Sequence, residues 1–448
     1  MNKNDEIVIS IDGYSSTGSG VGHYDGMAVF VPQTAVGDTV KVKILKVKKT
    51  YAYGKVEEII TPSENRKTPD CKVFRSCGGC VYRHITYKSE CEIKQNKVYD
   101  AIKRIGGIDI KPNEIICAEN ICGYRNKAQY PVSLSGNAGF YAPHSHRIIE
   151  SDDCRLQPEV FSLILKVITD WIKENGISVY NEQTHHGLVR HIYLRQAAAT
   201  NEIMVVIVIN GDTLPHYDIL IERLKMLLGN NLKSVQININ KRDTNVILGD
   251  TCVTLYGEKY ITDILCGVKV RISPLSFYQV NRTMAEKLYK KAAEYAMPKG
   301  KTVLDLYCGA GTIGLSMAKD AKEIVGVEII PDAVEDARVN AQINGIGNAS
   351  FICGDAAHAA AELSLQKLTP DVVIVDPPRK GCDEALLHTI SNDFFPERIV
   401  YISCDCATLA RDAATLENKG YKLIEYTPVD MFPSTAHIET VALFVKKL

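Results

Sequence analysis

Two cysteines one residue apart, Cys404 and Cys406, lie in the stretch YISCDCATLARD, residues 401–412. An apolar run from Arg398 to Ile402 leads into them, and a helical pattern with Thr408 as its expected N-cap follows. A thiol at the mouth of a strand acts as a nucleophile or fills a core as a small hydrophobe. Spacing does not choose between the two, because on an extended backbone both side chains share a face. Thirty-five residues beyond Cys404, Glu439 precedes the apolar run Thr440–Val445 and offers a carboxylate for proton transfer. A second cysteine group, CKVFRSCGGC, sets Cys71, Cys77 and Cys80 in a C-x5-C-x2-C spacing. Three thiolates on a glycine turn suit one metal centre, with a fourth ligand from His84, Cys91, Cys117, Cys122 or Cys154. Spacing alone leaves zinc and an iron–sulfur cluster both open.

The stretch TVLDLYCGAGTIGLSMA, residues 302–318, reads as strand, glycine turn and helix. Gly309, Gly311 and Gly314 form G-x-G-x-x-G, and Glu328 follows nineteen residues after Gly309 at the next strand end. A carboxylate placed there takes two ribose hydroxyls, so NAD and S-adenosylmethionine (SAM) both qualify. The acidic Asp305 ahead of the glycines favours SAM. Two later strand ends carry Asp355, expected near the adenine, and Asp376-Pro377-Pro378-Arg379, where two prolines stiffen the turn. Methyl transfer to nitrogen or oxygen needs no covalent thiol, whereas a weakly nucleophilic carbon does. C5 of uracil becomes nucleophilic once a thiolate has added to C6, and a base must then remove the C5 proton.

These residues need elements to position them. From Lys301 onward, apolar strands (Thr302–Leu306, Glu323–Val327, Asp371–Val375, Arg398–Ile402, Thr440–Val445) alternate with helical stretches, the pattern of a doubly wound parallel sheet. Residues 5–60 read as four short strands, Glu6–Ile11, Met27–Val31, Thr39–Val47 and Gly54–Ile60, separated by glycine-rich breaks and forming a small barrel. Within them KVKILKVKKTYAYGK, residues 41–55, has six lysines, two tyrosines and no acid, which suits RNA backbone contact with base stacking. Residues 61–70 read as a linker and Ser89–Ile105 as a helix. The 448 residues suffice for several domains, and a net charge of −1 confines any polyanion site to a local patch. The first residues lack a signal-peptide pattern, and the longest apolar run, Met204–Ile209, is too short to span a bilayer. A cytoplasmic protein is expected, in which most of the fourteen cysteines are free thiols.

Five stretches together, SPLSFYQVN (273–281), DLYCGAGTIGL (305–315), VDPPRKG (375–381), YISCDCATLARD and HIETVALF, resemble the RNA uracil-5-methyltransferase family. The likeness spans the chain and is nearest to the type that makes 5-methyluridine in 23S rRNA and carries a TRAM domain and an iron–sulfur cluster. It implies a multidomain α/β protein: a TRAM (OB-like) barrel over 1–62, a central α+β domain over 63–90 and 126–270, and a class I SAM-dependent methyltransferase domain over 91–125 and 271–448. It implies Cys404 as nucleophile, Glu439 as base, and SAM contacts from Gln279, Tyr307, Glu328, Asp355 and Asp376. Phe277 would pack near a flipped uracil, and Arg125 in GYRNKAQYPV would meet the base or its phosphate. Cys71, Cys77, Cys80 and Cys154 would hold a [4Fe-4S] cluster in preference to zinc. The partner implied is 23S rRNA at a single-stranded or loop uridine, with a tRNA T-loop as the alternative and no obligate protein partner or membrane. Cys406 stands where the family usually has proline.

Overall fold

The computed structural model describes residues 1–447. Five strands, β1 (Glu6–Tyr14), β2 (Gly20–Tyr24), β3 (Met27–Val31), β4 (Thr39–Val47) and β5 (Tyr51–Thr61), close into a barrel in the order β1-β2-β3-β5-β4. Alternate residues Ile7, Ile9, Ile11, Val40, Val42 and Ile44 fill it. β2 occupies what the sequence suggests is a glycine-rich break. Glycine serves there because the strands touch: a Cβ on Gly22 would lie 2.4 Å from the Ser10 carbonyl oxygen. Residues 61–70 are also no free linker. Arg66 clasps Asp38 with Nε at 2.7 Å and Nη2 at 2.6 Å, a bidentate pair that fastens the segment to the barrel.

Helix α1 (Tyr87–Arg104) follows, with Thr86 as its cap. Next come β6 (Lys127–Pro131), a hairpin of β7 (Gly139–Tyr141) and β8 (Ile148–Glu150), and α2 (Glu159–Glu174). The central sheet then gains β9 (Val189–Gln196) and β10 (Ile203–Ile209), α3 (Tyr217–Leu228), and β11 (Leu232–Ile239) and β12 (Thr251–Gly257), in the order β12-β11-β10-β9-β6. α2 packs on it through Phe161, Ile164, Leu165, Ile168, Trp171 and Ile172, the spacing of one helical face. The hairpin of β13 (Ile261–Leu265) and β14 (Val268–Ile272) shares its apolar cluster with the next helix, α4 (Arg282–Ala296). An edge at residue 270 therefore cuts through a hairpin that packs with the C-terminal domain, and an edge at 90/91 cuts through α1.

The C-terminal sheet interleaves β15 (Thr302–Leu306), α5 (Thr312–Met317), β16 (Glu323–Glu328), α6 (Pro331–Ile343), β17 (Ala349–Cys353), α7 (Ala356–Leu365), β18 (Val372–Val375), α8 (Glu384–His388), β19 (Arg398–Ser403), α9 (Cys406–Asn418), β20 (Tyr421–Val429) and β21 (Glu439–Lys446). The order is β17-β16-β15-β18-β19-β21-β20. The first five strands run parallel as the alternation predicts, but β21 is antiparallel to both neighbours. β15 and β18 are buried on both faces: Val303, Val372 and Ile374 meet α4, α5 and α6, whereas Leu304, Val373 and Val375 meet α7, α8 and α9. α1 joins the second layer through Val98, Ala101 and Ile102. Among the described residues no helix is long and apolar enough to cross a membrane.

Candidate active site

The chain reverses direction along the sheet between β15 and β18, so their C-terminal ends open a crevice where loops converge. After β15, Asp305 is fully buried and its Oδ2 accepts a hydrogen bond from the Gly314 amide at 2.9 Å. A Cβ on Gly314 would lie 2.9 Å from that oxygen, so a glycine is needed for the helix to start there. Burial pushes the Asp305 carboxyl up to about 7. Tyr307 holds a left-handed backbone at φ 64°, a strained conformation for a bulky residue in a binding loop. The Glu328 carboxylate is aimed by two amides, Gly309 at 3.1 Å and Ile330 at 2.9 Å. One oxygen of Asp355 is committed to capping α7, accepting from Ala357 at 3.0 Å and His358 at 3.1 Å.

The loop before α4 supplies Phe277 and Gln279. It is braced from the central sheet, where buried Arg195 donates to the carbonyls of Ser273 at 2.7 Å and Ser276 at 3.0 Å. Asn126 donates to the Gln279 carbonyl at 3.0 Å. Gln279 is buried, while Phe277 is 68% exposed and stands out into the crevice.

At the end of β19 the N-cap of α9 is Asp405, not Thr408. Its Oδ1 accepts from Ala407 at 2.9 Å and Thr408 at 3.1 Å. Cys404 and Cys406 flank the cap residue and both line the same cleft. Cys404 is pushed up to about 11, first by burial, then by Glu439 and Asp376, with Arg379 opposing. The charges acting on Cys406 are instead Lys97 and Asp405. Glu439, the first residue of β21, is only 6% exposed, and burial followed by the Asp376 charge raises it well above the usual carboxylate range. Arg379 opposes this shift too. Burial pushes Asp376 up to about 7.

Cys404, Glu439, Gln279, Tyr307, Glu328, Asp355, Asp376, Phe277 and Arg125 all line one cleft of about 1370 Å³. Ser16 and Thr17 of the barrel, Lys97 of α1 and His437 line it as well, and sequence reasoning did not select them. His437 had a signal, since it lies two residues before Glu439. Lys97 and Ser16 had none, because only the tertiary fold brings them to the cleft.

The other cysteine group surrounds a second cavity, of about 260 Å³, lined by Cys71, Cys77, Cys80 and Cys154. Burial pushes the Cys80 thiol up to about 12 and also raises Cys77 and Cys154. The other proposed fourth ligands are engaged elsewhere. A ring nitrogen of His84 is 3.1 Å from the Thr34 carbonyl, Cys122 accepts from Arg83 at 3.2 Å, and Cys91 and Cys117 face each other at 2.7 Å. Among the described residues, no three His, Cys, Asp or Glu side chains close on one point as the ligands of a single ion do. Arg125 lines both cavities.

Residues 124–447 match the model of the tRNA (uracil-5-)-methyltransferase family, and residues 2–56 match the TRAM domain. The chain belongs to this RNA uracil-5-methyltransferase family. A Clostridium tetani protein named an uncharacterized RNA methyltransferase is 43% identical over 447 residues, covering 99% of this chain and 97% of that one. One from Halalkalibacterium halodurans is 44% identical, covering 100% and 98%. The solved structure of Pyrococcus abyssi tRNA (uracil-54, C5)-methyltransferase in complex with S-adenosyl-L-homocysteine is 28% identical with a TM-score of 0.80, covering 98% of this chain and 99% of that one. This RNA uracil-5-methyltransferase is thus a SAM-dependent enzyme with a TRAM barrel at its N-terminal side.

Proposed function

We propose that the enzyme methylates C5 of an unpaired uridine in 23S rRNA through a covalent bond between Cys404 Sγ and C6. The observation that carries the covalent mechanism is the grouping of Cys404, Glu439, Asp376 and Arg379 in one cleft, where Glu439, Asp376 and Arg379 act on the charge of Cys404. The Cys404 thiolate adds to C6, and the electron pair passes through C5 to O4 as an enolate. C5 attacks the methyl carbon of SAM, the sulfonium carbon–sulfur bond breaks, and S-adenosylhomocysteine leaves. Glu439 takes the C5 proton, the C5–C6 double bond re-forms, and Sγ departs as thiolate. Asp376, Glu439 and Cys404 all lose protons more readily beside a sulfonium, so the raised proton affinities of the ligand-free site fall when the methyl donor is present. Glu328 takes the ribose hydroxyls, with Gln279, Tyr307, Asp355 and Asp376 as further SAM contacts. A stacked or paired target has to be flipped into the cleft, where the exposed Phe277 ring stacks on it and Arg125 meets its phosphate.

Cys71, Cys77, Cys80 and Cys154 would hold a [4Fe-4S] cluster. The support for this reading is that the four thiols, three of them in the C-x5-C-x2-C run, line one cavity of about 260 Å³. Bound there, the cluster would supply a structural staple among segments distant in sequence.

A tRNA T-loop uridine is the second reading. The 98% overlay on the archaeal tRNA enzyme favours it, since a match of that extent takes in the barrel region too. The test is a denaturing gel of Glu439→Gln enzyme with SAM and unmodified 23S rRNA fragments or tRNA, in otherwise intact, Cys404→Ala and Cys406→Ala forms. A heat-stable adduct with 23S rRNA, lost only with Cys404→Ala, is expected. Adduct with tRNA alone selects the second reading, and loss only with Cys406→Ala overturns the choice of nucleophile.

A further inference from the structure

Segment 430–438 leads into Glu439 and has no regular secondary structure of its own. α1 grips it at alternate residues. The buried Lys94 ammonium donates to Asp430 Oδ1 at 2.7 Å, to the Phe432 carbonyl at 3.1 Å and to Glu90 Oε1 at 2.7 Å. The same Glu90 oxygen accepts the Ser434 amide at 2.6 Å. One turn on, Lys97 donates to the Ala436 carbonyl at 2.9 Å. Glu90, Lys94 and Lys97 thus use helical spacing to reach residues 430, 432, 434 and 436 of a strap that turns at Pro433-Ser434.

The far side of the strap is held by the cysteine-rich segment. The amides of Val81 and Tyr82 donate to the Ser434 carbonyl at 2.8 and 3.1 Å, and the Tyr124 hydroxyl donates to the Pro433 carbonyl at 2.9 Å. These contacts stop at Ser434. Over Ala436–Ile438, the last three residues before the base, Lys97 is the sole donor to a backbone carbonyl among the described residues. Of the three α1 side chains, Lys97 is also the one that lines the cleft. Its second acceptor is the carbonyl of Ser16, at 2.9 Å, in the β1–β2 loop of the barrel. Among the described residues two carbonyls and no carboxylate partner the ammonium, which bridges the barrel rim and the base strap.

We propose that Lys97 is a positioning residue that fixes the approach to Glu439 and ties it to the docked barrel loop. The inference rests on the reading of Glu439 as the base. A loosened strap misplaces the carboxylate after methyl transfer, when the C5 proton has to be removed. Cys404 and the SAM-side loops are unaffected, so methylated RNA stays attached to Sγ.

The test compares full-length wild type, Lys97→Met, Lys97→Arg and Glu439→Gln. Amide hydrogen exchange without RNA is the first measurement. Lys97→Met should lose protection by about tenfold in residues 15–19 and 435–438, the scale of one charge-assisted hydrogen bond, and Lys97→Arg should restore most of it. The second measurement is the denaturing gel with SAM and the RNA that reacts with Glu439→Gln. Lys97→Met should accumulate the heat-stable adduct while turnover falls, which a merely unstable variant would not do. Unchanged exchange in both segments overturns the proposal whatever the RNA chemistry. Changed exchange with normal turnover and no adduct overturns the link to the base. If Glu439→Gln itself gives no adduct, the base assignment falls and the proposal falls with it.

Discussion

The wall of the cleft formed by the glycine loop, Glu328, Asp355 and Asp376 is built from strand ends of one sheet. Backbone amides of neighbouring strand-end loops orient its carboxylates, as Gly309, nineteen residues back, and Ile330, two residues on, do for Glu328. The facing wall, which carries Glu439, is assembled from segments more than three hundred residues apart and depends on buried charge. Lys94 has no exposed side-chain surface, nor has Asp430, and Glu90 has 3%. The first wall survives on local backbone geometry. The second exists only while several distant segments are all in place, so its failure should be abrupt. The two walls meet at Cys404.

The largest effect is expected at that meeting point. Cys404→Ala should lower turnover by at least about 10⁴-fold, as for other covalent nucleophiles, while Cys406→Ala leaves it nearly unchanged. Single-turnover methyl transfer measures both. Next comes the remote wall. Lys94→Met leaves two buried carboxylates without their cation and should cost about 3–5 kcal/mol in urea unfolding, with Glu439-dependent turnover lost before SAM binding. If the variant melts like wild type, the contrast between the walls is wrong. On the glycine-loop side the effect is smaller and titratable. Asp376 sits near 7 because it is buried, and a cation favours its ionised form. Below about pH 7, SAM binding is coupled to loss of a proton, so Kd should weaken by about tenfold per pH unit, and Asp376→Asn should lessen the dependence, leaving the part that Glu439 contributes. Calorimetry in buffers of different ionisation enthalpy reads the released proton. The smallest effect belongs to the barrel. Lys48→Ala should reduce the slope of log K against log salt for RNA by about one, without changing the site selected.

The same contrast explains what the sequence discloses. β15 is legible to the residue, since the run Thr302–Leu306, with Val303, Leu304 and Leu306 apolar, stands directly before a glycine turn and admits few alternatives. Glu328, Asp376 and Cys404 follow because each ends such a run. β2 was not legible, because glycines that permit close strand contact look like a turn. β20 carries Lys422, Glu425 and Thr427 among its apolar residues, and β21's antiparallel direction depends on pairing rather than pattern. Linker-like residues 61–70 hide the clasp of Arg66 on Asp38, and no periodicity connects Lys97 to Ala436. The fourth cysteine was likewise a matter of tertiary fold: Cys154 and His84 are equally plausible by spacing, yet Cys154 alone of the five alternatives lines the cavity with the other three.

β21 pairs with β19 on one side and β20 on the other, so β20 is joined to the sheet only through a strand made after it. During synthesis the glycine loop, Asp376 and Cys404 emerge before Glu439. Glu439 opens β21 and is added last, together with the pairing that anchors β20. On the proposed reading of Cys404 as nucleophile and Glu439 as base, a nascent chain holds the first before the second, and insertion of the penultimate strand of the sheet brings the two together.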